Sequence, residues 1–471
     1  MRNVLIIAIE DPWPDKPQEF SFRYGFPRTG LHIASCIEHW GRRRFQARLV
    51  FLDHELGRME AATERFDEAC FQIVSNALSQ WHPTLVCIAA PYTRLASLAW
   101  LVAAHCKKLS HTPVITGGPH FSYMAARVFA KPNNPFDAIV LGEGESKLKH
   151  ILRHLPDVDM ALKYPGILSR FSAEPSEVGD EIELHDPPPL RFDLLPREVV
   201  SHQGAVVMGG RGCIYRCNFC IEAAYWGKSQ TLFSPAYVRR ELDTLHSEYR
   251  NPAVGLGDSL INLHSHRYPD FFAKAFDDGS RLSEHFFILS RTDLLGRAGC
   301  AAFKKHGGKA IWVGIESGNQ EMLNRMGKRL KLSDLPHQLN VAKECGLNVG
   351  AFFLFGYPGE TSRSANDTLN LIQRLHRDGF LDYLDPSIFV PYPGLPMFAD
   401  PEKHKMIPVC ELWNEEDWSG WGRYNAPPVF DLDTLPRQEI YAFWRRAYEL
   451  KLQIDIRDRA KPRRLEDCRH V

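Results

Sequence analysis

The chain has 471 residues, 44% hydrophobic and 24% charged, which excludes wholesale disorder and a small disulfide-stapled scaffold. Lys plus Arg equals Asp plus Glu at 57 each, so nothing marks a polyanion-binding protein and no nucleic-acid partner is expected. The longest apolar stretch, roughly 96–106, falls far short of the ~20 residues needed to span a bilayer, so no membrane span is expected.

The N-terminal run 4–9 stops at Glu10-Asp11, too short for a signal-peptide core. The 11 cysteines are odd in number and mostly isolated, and a cytoplasmic location is therefore expected. Over residues 1–155, β-rich runs at 4–9, 47–53, 85–90, 114–118 and 138–142 alternate with helical patterns. Between the second and third runs, Met59, Ala62, Phe66, Cys70, Ile73, Ala77 and Trp81 mark the apolar face of one helix. This rhythm predicts an α/β domain with a doubly wound, Rossmann-like parallel sheet. Asp186-Pro187-Pro188-Pro189 and Leu195-Pro196 sustain neither helix nor central strand, which places a Pro-rich linker at 156–200. A second alternating block, 201–400, carries strand runs at 205–208, 253–257, 286–290, 310–316, 348–356 and 386–391. Six strands are two short of a closed barrel, so a partial (β/α)6 barrel is expected. Residues 401–471 form a small C-terminal extension with an aromatic loop, a helix near 435–452 and a charged tail.

The strongest chemical signal is Arg211-Gly212-Cys213-Ile214-Tyr215-Arg216-Cys217-Asn218-Phe219-Cys220. At this cysteine content a C-x3-C-x2-C triplet arises by chance with a probability of about 0.6%. It follows the first strand of the second block, at the end where α/β barrels place active sites. Three close thiolates suit a soft metal. Zinc would need a fourth ligand and usually arrives on two spaced pairs, and no partner pair stands elsewhere. An iron–sulfur cube held by three cysteines leaves one iron open, a catalytic arrangement.

With Phe219 before the last cysteine, these residues resemble the signature of the radical S-adenosylmethionine (SAM) superfamily. The resemblance implies a [4Fe–4S] cluster on Cys213, Cys217 and Cys220 whose open iron chelates the methionine end of SAM. It further implies reductive cleavage to a 5′-deoxyadenosyl radical, and an external electron donor of flavodoxin or ferredoxin type. Ser290-Arg291, Gly314-Ile315-Glu316-Ser317-Gly318, Gly356-Tyr357-Pro358-Gly359-Glu360-Thr361 and Pro391-Tyr392-Pro393-Gly394 are similar to family segments that hold SAM and shape the cavity. On this basis Phe219, Asp258, Ser290, Arg291, Glu316, Ser317 and Gly356 are expected at the SAM site. Arg291 suits the SAM carboxylate, and Ser290, Glu316 and Ser317 suit its amine or ribose hydroxyls. The alternative at each is a barrel-rim cap or salt bridge, and at Asp258 an acidic helix cap.

Residues 1–155 resemble the cobalamin-binding domain that precedes the barrel in one large subgroup of that superfamily. The matching segments are Pro27-Arg28-Thr29-Gly30-Leu31, Pro91-Tyr92-Thr93, Gly117-Gly118-Pro119-His120 and Gly142-Glu143-Gly144-Glu145. The last three follow strands and are expected to hold cobalamin, since glycines let backbone approach a large flat cofactor. The Asp-x-His-x-x-Gly motif that ligates cobalt from below is absent after the first strand. Asp53-His54-Glu55-Leu56-Gly57 echoes it, but His54 reads as a surface-loop histidine, so cobalamin is expected without a protein histidine below cobalt.

Cys410 precedes Trp413, Trp418, Trp421 and Tyr424, and is a candidate substrate-facing residue in a 401–428 segment expected to cover the barrel mouth; simple packing is the alternative. The expected function is cobalamin-dependent methyl transfer to an unactivated carbon, or similar centre, of a small-molecule substrate. The rivals are a cobalamin-free radical rearrangement, cyclisation or transfer of another SAM fragment, and, in another class, a non-catalytic cobalamin or cluster sensor.

Overall fold

A computed structural model describes residues 1–10, 26–59, 66–170, 186–203, 205–227, 229–249, 254–276, 286–409 and 428–460. The N-terminal sheet contains β1 (Arg2–Ala8), β2 (Phe45–Phe51), β3 (Leu85–Ala89), β4 (Val114–Gly117), β5 (Ala138–Val140) and β6 (Ile167–Ser169), in the spatial order β2-β1-β3-β4-β5-β6. The first five are parallel, and β6 closes the edge antiparallel to β5. Helices cover both faces, which is why β1 and β3 read as unbroken apolar runs and why Val4 to Ile9 are fully buried.

Two features depart from expectation. The second strand begins at Phe45 and stops at Phe51, because Leu52–Gly57 turns into a short helix. β6 lies inside the 156–200 span read as linker; three residues are too few to display alternation. The helix periodicity at 59–81 becomes the helix Phe66–Trp81, with 60–65 outside the described residues.

The second block contains β7 (Ala205–Val207), β8 (Gly210–Gly212), β9 (Gln230–Leu232), β10 (Val254–Leu256), β11 (Phe287–Ser290), β12 (Ala310–Glu316), β13 (Asn348–Phe355) and β14 (Tyr383–Ile388). β7 pairs with β10, and β11-β12-β13-β14 form a four-stranded parallel sheet. The Ile261 amide donates to Leu289 O at 2.8 Å, carrying the wall from one sheet to the next. These six strands form an open barrel. β8 and β9 are a separate antiparallel hairpin that the Gly-Arg-Gly sequence did not suggest. β14 runs through Pro386 instead of starting there. It is the edge strand, where a proline without an N–H is tolerated.

β15 (Met406–Pro408) and β16 (Phe430–Leu432) pair antiparallel, and the helix Arg437–Ala460 packs on the barrel edge, with Trp444 Nε1 donating to Pro386 O at 3.0 Å. One apolar core includes Ile440, Phe443 and Trp444 with the barrel strands, and continues through Leu190 and Phe192 to Ala8, Phe26 and Leu31 of the N-terminal part. Among the described residues no helix is long and apolar enough to cross a membrane.

Candidate active site

The cysteine loop leaves the β8–β9 hairpin at Gly212, whose φ of +86° is a left-handed turn, and a Cβ there would strike Ser229 O. Its far end is the short helix Ile221–Tyr225, for which Cys220 is the N-cap. The backbone amides of Glu222 and Ala223 favour the thiolate of Cys220, and that of Tyr215 the thiolate of Cys213. Asn218 pins the middle of the loop: its amide donates to Met326 O at 2.9 Å and its Nδ2 to Arg325 O at 3.1 Å. Burial pushes the Cys220 thiol up to about 12 and the Cys213 thiol above its ordinary value. Arg291 Nη1 lies 3.8 Å from Cys217 Sγ.

These groups fit a thiolate-held cluster. N–H donors and a guanidinium stabilise sulfur anions once a metal has displaced their protons. Among the described residues no group of His, Cys, Asp and Glu closes tightly enough around one point to hold a single ion, whereas a cube spreads its cysteines over separate irons.

Of the expected SAM residues, Phe219 is in this loop, and Arg291 and Glu316 stand beside it. Glu316, at the end of β12, has a φ of +72° and sits where the β12–β13 register shifts. Its Oε1 accepts from Lys328 Nζ at 2.8 Å, and both side chains are nearly buried. Lys328 Nζ also lies 5.6 Å from the centre of the Phe219 ring. Arg291 donates to Asp293 Oδ1 at 2.9 Å and Lys328 O at 2.7 Å, and stands 3.9 Å over the Tyr215 ring. Ser290 Oγ donates to Ile261 O at 2.7 Å, and Ser317 Oγ accepts from the Asn319 amide at 3.2 Å. Gly356 is left-handed at φ +81°, with its amide on Glu360 Oε2. Asp258 is not a helix cap. Its Oδ2 accepts from the Gly209 amide at 2.7 Å, bracing the strand end before the cysteine loop, and burial raises its carboxyl to about 7. Phe219, Arg291, Glu316 and Lys328 thus form one group against the cysteine loop, while Ser290, Ser317 and Asp258 direct polar atoms at protein backbone. Lys328 belongs to no motif, so no sequence signal marks it.

A cavity of about 630 Å³ opens at the ends of the N-terminal strands. Pro91, Tyr92, Thr93, residues 117–120 and residues 142–145 all line it. The residues that flank the cysteine loop, Arg211 before it and Ile221, Glu222, Tyr225 and Trp226 after it, line the same cavity. Arg211 Nη1 bonds Glu143 Oε1 at 2.9 Å and Glu145 Oε1 at 2.6 Å, and Tyr225 OH donates to Gly142 O at 2.7 Å. From the other side, Arg28 Nη1 donates to Val206 O at 2.8 Å. Burial alone would raise the Glu145 carboxyl, but His32, 3.0 Å away, and Arg211 hold it well below the usual range. Burial depresses His120 to about 3, which keeps it neutral beside Thr93.

The cavity also fits a large planar cofactor. At Gly117 a Cβ would press on Val140 O, whereas in front of Gly118 the space is open. Gly30 lets its helix meet β1, since a Cβ there would lie 2.5 Å from Ala8 Cβ. His54 is on the helix Leu52–Gly57, not in a loop; it faces Glu198 at 3.4 Å and is not among the cavity residues. The cavity histidines are His32 and His120, and His32, like Tyr225 and Trp226, carried no sequence signal of its own. Cys410, Trp413, Trp418, Trp421 and Tyr424 lie outside the described residues.

Residues 207–372 match the Radical SAM superfamily. The chain is similar to an uncharacterized methyltransferase of Pyrococcus horikoshii, 25% identical over 86% of this chain and 85% of the relative. It is also similar to the hopanoid C-3 methylase of Methylococcus capsulatus, 22% identical over 58% of this chain and 53% of the relative. Its fold matches the radical SAM methyltransferase TsrM from Kitasatospora setae, solved with tryptophan substrate and a SAM analogue (TM-score 0.64, 16% identity, 86% of this chain and 77% of that one). It likewise matches the cobalamin-dependent enzyme OxsB, solved with aqua-cobalamin and SAM (TM-score 0.62, 15% identity, 97% of this chain and 62% of that one). The cysteine triplet on the loop after β8 and the superfamily match over the surrounding strands lead to one conclusion: the chain carries a radical SAM domain over residues 207–372 and is a radical SAM enzyme, with a [4Fe–4S] cluster and SAM as its cofactors.

Proposed function

We propose that this enzyme is a cobalamin-dependent methyltransferase acting on an unactivated carbon, or similar centre, of a small molecule. The observation that carries the reading is the shared lining: Arg211 on one side of the cluster cysteines, and Ile221, Glu222, Tyr225 and Trp226 on the other, line the cavity at the N-terminal strand ends. When bound, the cluster with SAM would supply a carbon-centred radical, and cobalamin a transferable methyl group. The chain's own residues position and shield. Arg211 and Tyr225 fix the cysteine loop to the 142–145 turn, so the two cofactor sites keep one distance. Arg291 and the Glu316–Lys328 pair set the charge beside the cluster, and Arg291 or Glu316 would turn toward the methionine end of SAM. The glycine floor at 117–118 admits a flat ring, and Glu143 and Glu145 would accept hydrogen bonds from its amide arms. The names of the methylating relatives and the architecture shared with TsrM and OxsB support the same reading. An external one-electron donor completes the requirements.

Anaerobic reconstitution with cobalamin, SAM and a reductant, followed by product analysis, tests this. Methyl transfer predicts S-adenosylhomocysteine alongside 5′-deoxyadenosine. Formation of 5′-deoxyadenosine alone, with or without cobalamin present, would favour a rearrangement or cyclisation.

A further inference from the structure

We propose that the substrate presents an apolar ring, free of phosphate or other anionic groups, to an aromatic wall formed by Trp312, Phe352 and Tyr383 inside the barrel. This rests on the proposed methyl transfer and names the class of its acceptor. Along the barrel strands side chains alternate between two faces. Ile288, Ile311, Val313, Val349, Ala351 and Phe353 point outward into the apolar core with the helices and are fully buried. The intervening Leu289, Trp312, Phe352 and Tyr383 point inward and stay partly open to solvent. The parallel register places Leu289, Trp312, Gly350 and Tyr383 in one inner layer. Gly314, Phe352 and Asp385 form the next layer toward the strand ends.

The wall owes its form to glycine. The Trp312 ring lies across Gly350, where a Cβ would come within 2.3 Å of it. Its plane is 17° from that of Tyr383 and 35° from that of Phe352, with ring centres 5.9 and 5.2 Å away. Asn348 Nδ2 donates to Tyr383 OH at 3.2 Å, which holds the polar end of that ring at the start of the strands. Near-parallel rings in mutual contact form a stiff apolar surface that suits another ring. A Cβ on Gly314 would meet Glu316 and Lys328, so the upper layer lies directly beneath that pair and the expected SAM site. The charged residue in the two layers is Asp385, an acid, and neither layer contains Lys or Arg. A phosphorylated ring would bring negative charge among aromatic side chains and a carboxylate, at a high desolvation cost.

The test measures binding to the anaerobically reconstituted holoenzyme by equilibrium dialysis. Its probes are 1-naphthol and 1-naphthyl phosphate, the same ring without and with the anionic group. 1-Naphthol is expected to bind at least about tenfold more tightly than the phosphate. Trp312→Leu and Phe352→Leu each keep apolar bulk and remove one ring, and lie on different strands, so failure of one to fold leaves the other. Each is expected to weaken 1-naphthol binding about threefold to tenfold, with iron and cobalamin content unchanged. Equal binding of the two probes, tighter binding of the phosphate, or 1-naphthol affinity unaffected by the substitutions overturns the proposal. So does a wild type that binds no 1-naphthol at about 1 mM. These equilibria do not depend on turnover. A wild type that binds the probes as expected but forms no S-adenosylhomocysteine would defeat the methyl-transfer reading alone.

Discussion

A methyl group at position 314 would collide with both the Glu316 carboxylate and the Lys328 ammonium, so Gly314→Ala has to displace a nearly buried ion pair. Overpacking of this kind costs about 1–3 kcal/mol, to be read as a lower denaturant midpoint, and SAM cleavage should slow with it. A second residue-scale expectation concerns pH. Burial raises the Glu360 carboxyl from its usual value to about 8, with only the Gly356 amide opposing it. The folded state therefore holds a proton that the unfolded chain releases near its ordinary pKa. The resulting stability is complete below the unfolded pKa and is lost as pH rises toward 8, at up to about 1.4 kcal/mol per pH unit. Urea titrations between pH 5 and 8 should show this slope in the wild type and a shallower one in Glu360→Gln; parallel curves would refute it. Single residues were legible in the sequence where spacing marked them, as at Cys213, Cys217 and Cys220. Lys328 and Arg211 were not identified as site-forming residues, because their partners, Glu316 and Glu145, are chosen by the fold across 12 and 66 positions of chain.

At the scale of elements, the joint between the cysteine loop and the 142–145 turn depends on one guanidinium and one phenol. Arg211→Gln removes the guanidinium that Glu143 and Glu145 both bond at the cavity, leaving Glu145 to His32, and breaking a buried pair by removing one partner is costly. The dissociation constant for cobalamin should rise tenfold or more while iron content stays near the wild-type level. A spectroscopic titration that finds wild-type affinity in this variant would show that the clamp has no part in holding the cofactor. Long strands were legible because burial on both faces makes them continuous apolar runs, as in β1, β3 and β12. The three-residue strands β6, β8 and β9 were not, since pairing alone defines them and Gly210–Gly212 has almost no side chain to pattern. Pro386 misled the start of β14 for the converse reason: an edge position tolerates what a central strand does not.

At the scale of the molecule, the N-terminal part and the barrel share one apolar core and both line the cavity. A ligand in that cavity touches both parts, so it should stabilise them together. Cobalamin at a hundredfold excess over its Kd should add about 2.7 kcal/mol and move a single thermal transition upward. Two transitions, with only one shifted, would mean that the parts unfold separately. The order of two α/β blocks followed from the spacing of strand runs, and the chemistry of the second from its cysteines. The interface did not, because Arg28–Val206 and Tyr225–Gly142 join positions that no periodicity relates. The account depends most on the cavity holding cobalamin beside the cluster, and anaerobic reconstitution with metal analysis and a visible spectrum measures that directly. The prediction is a full [4Fe–4S] cluster together with one equivalent of cobalamin per chain, the cobalamin reduced or lost in Arg211→Gln. A complete cluster with no cobalamin bound at saturating cofactor would contradict it.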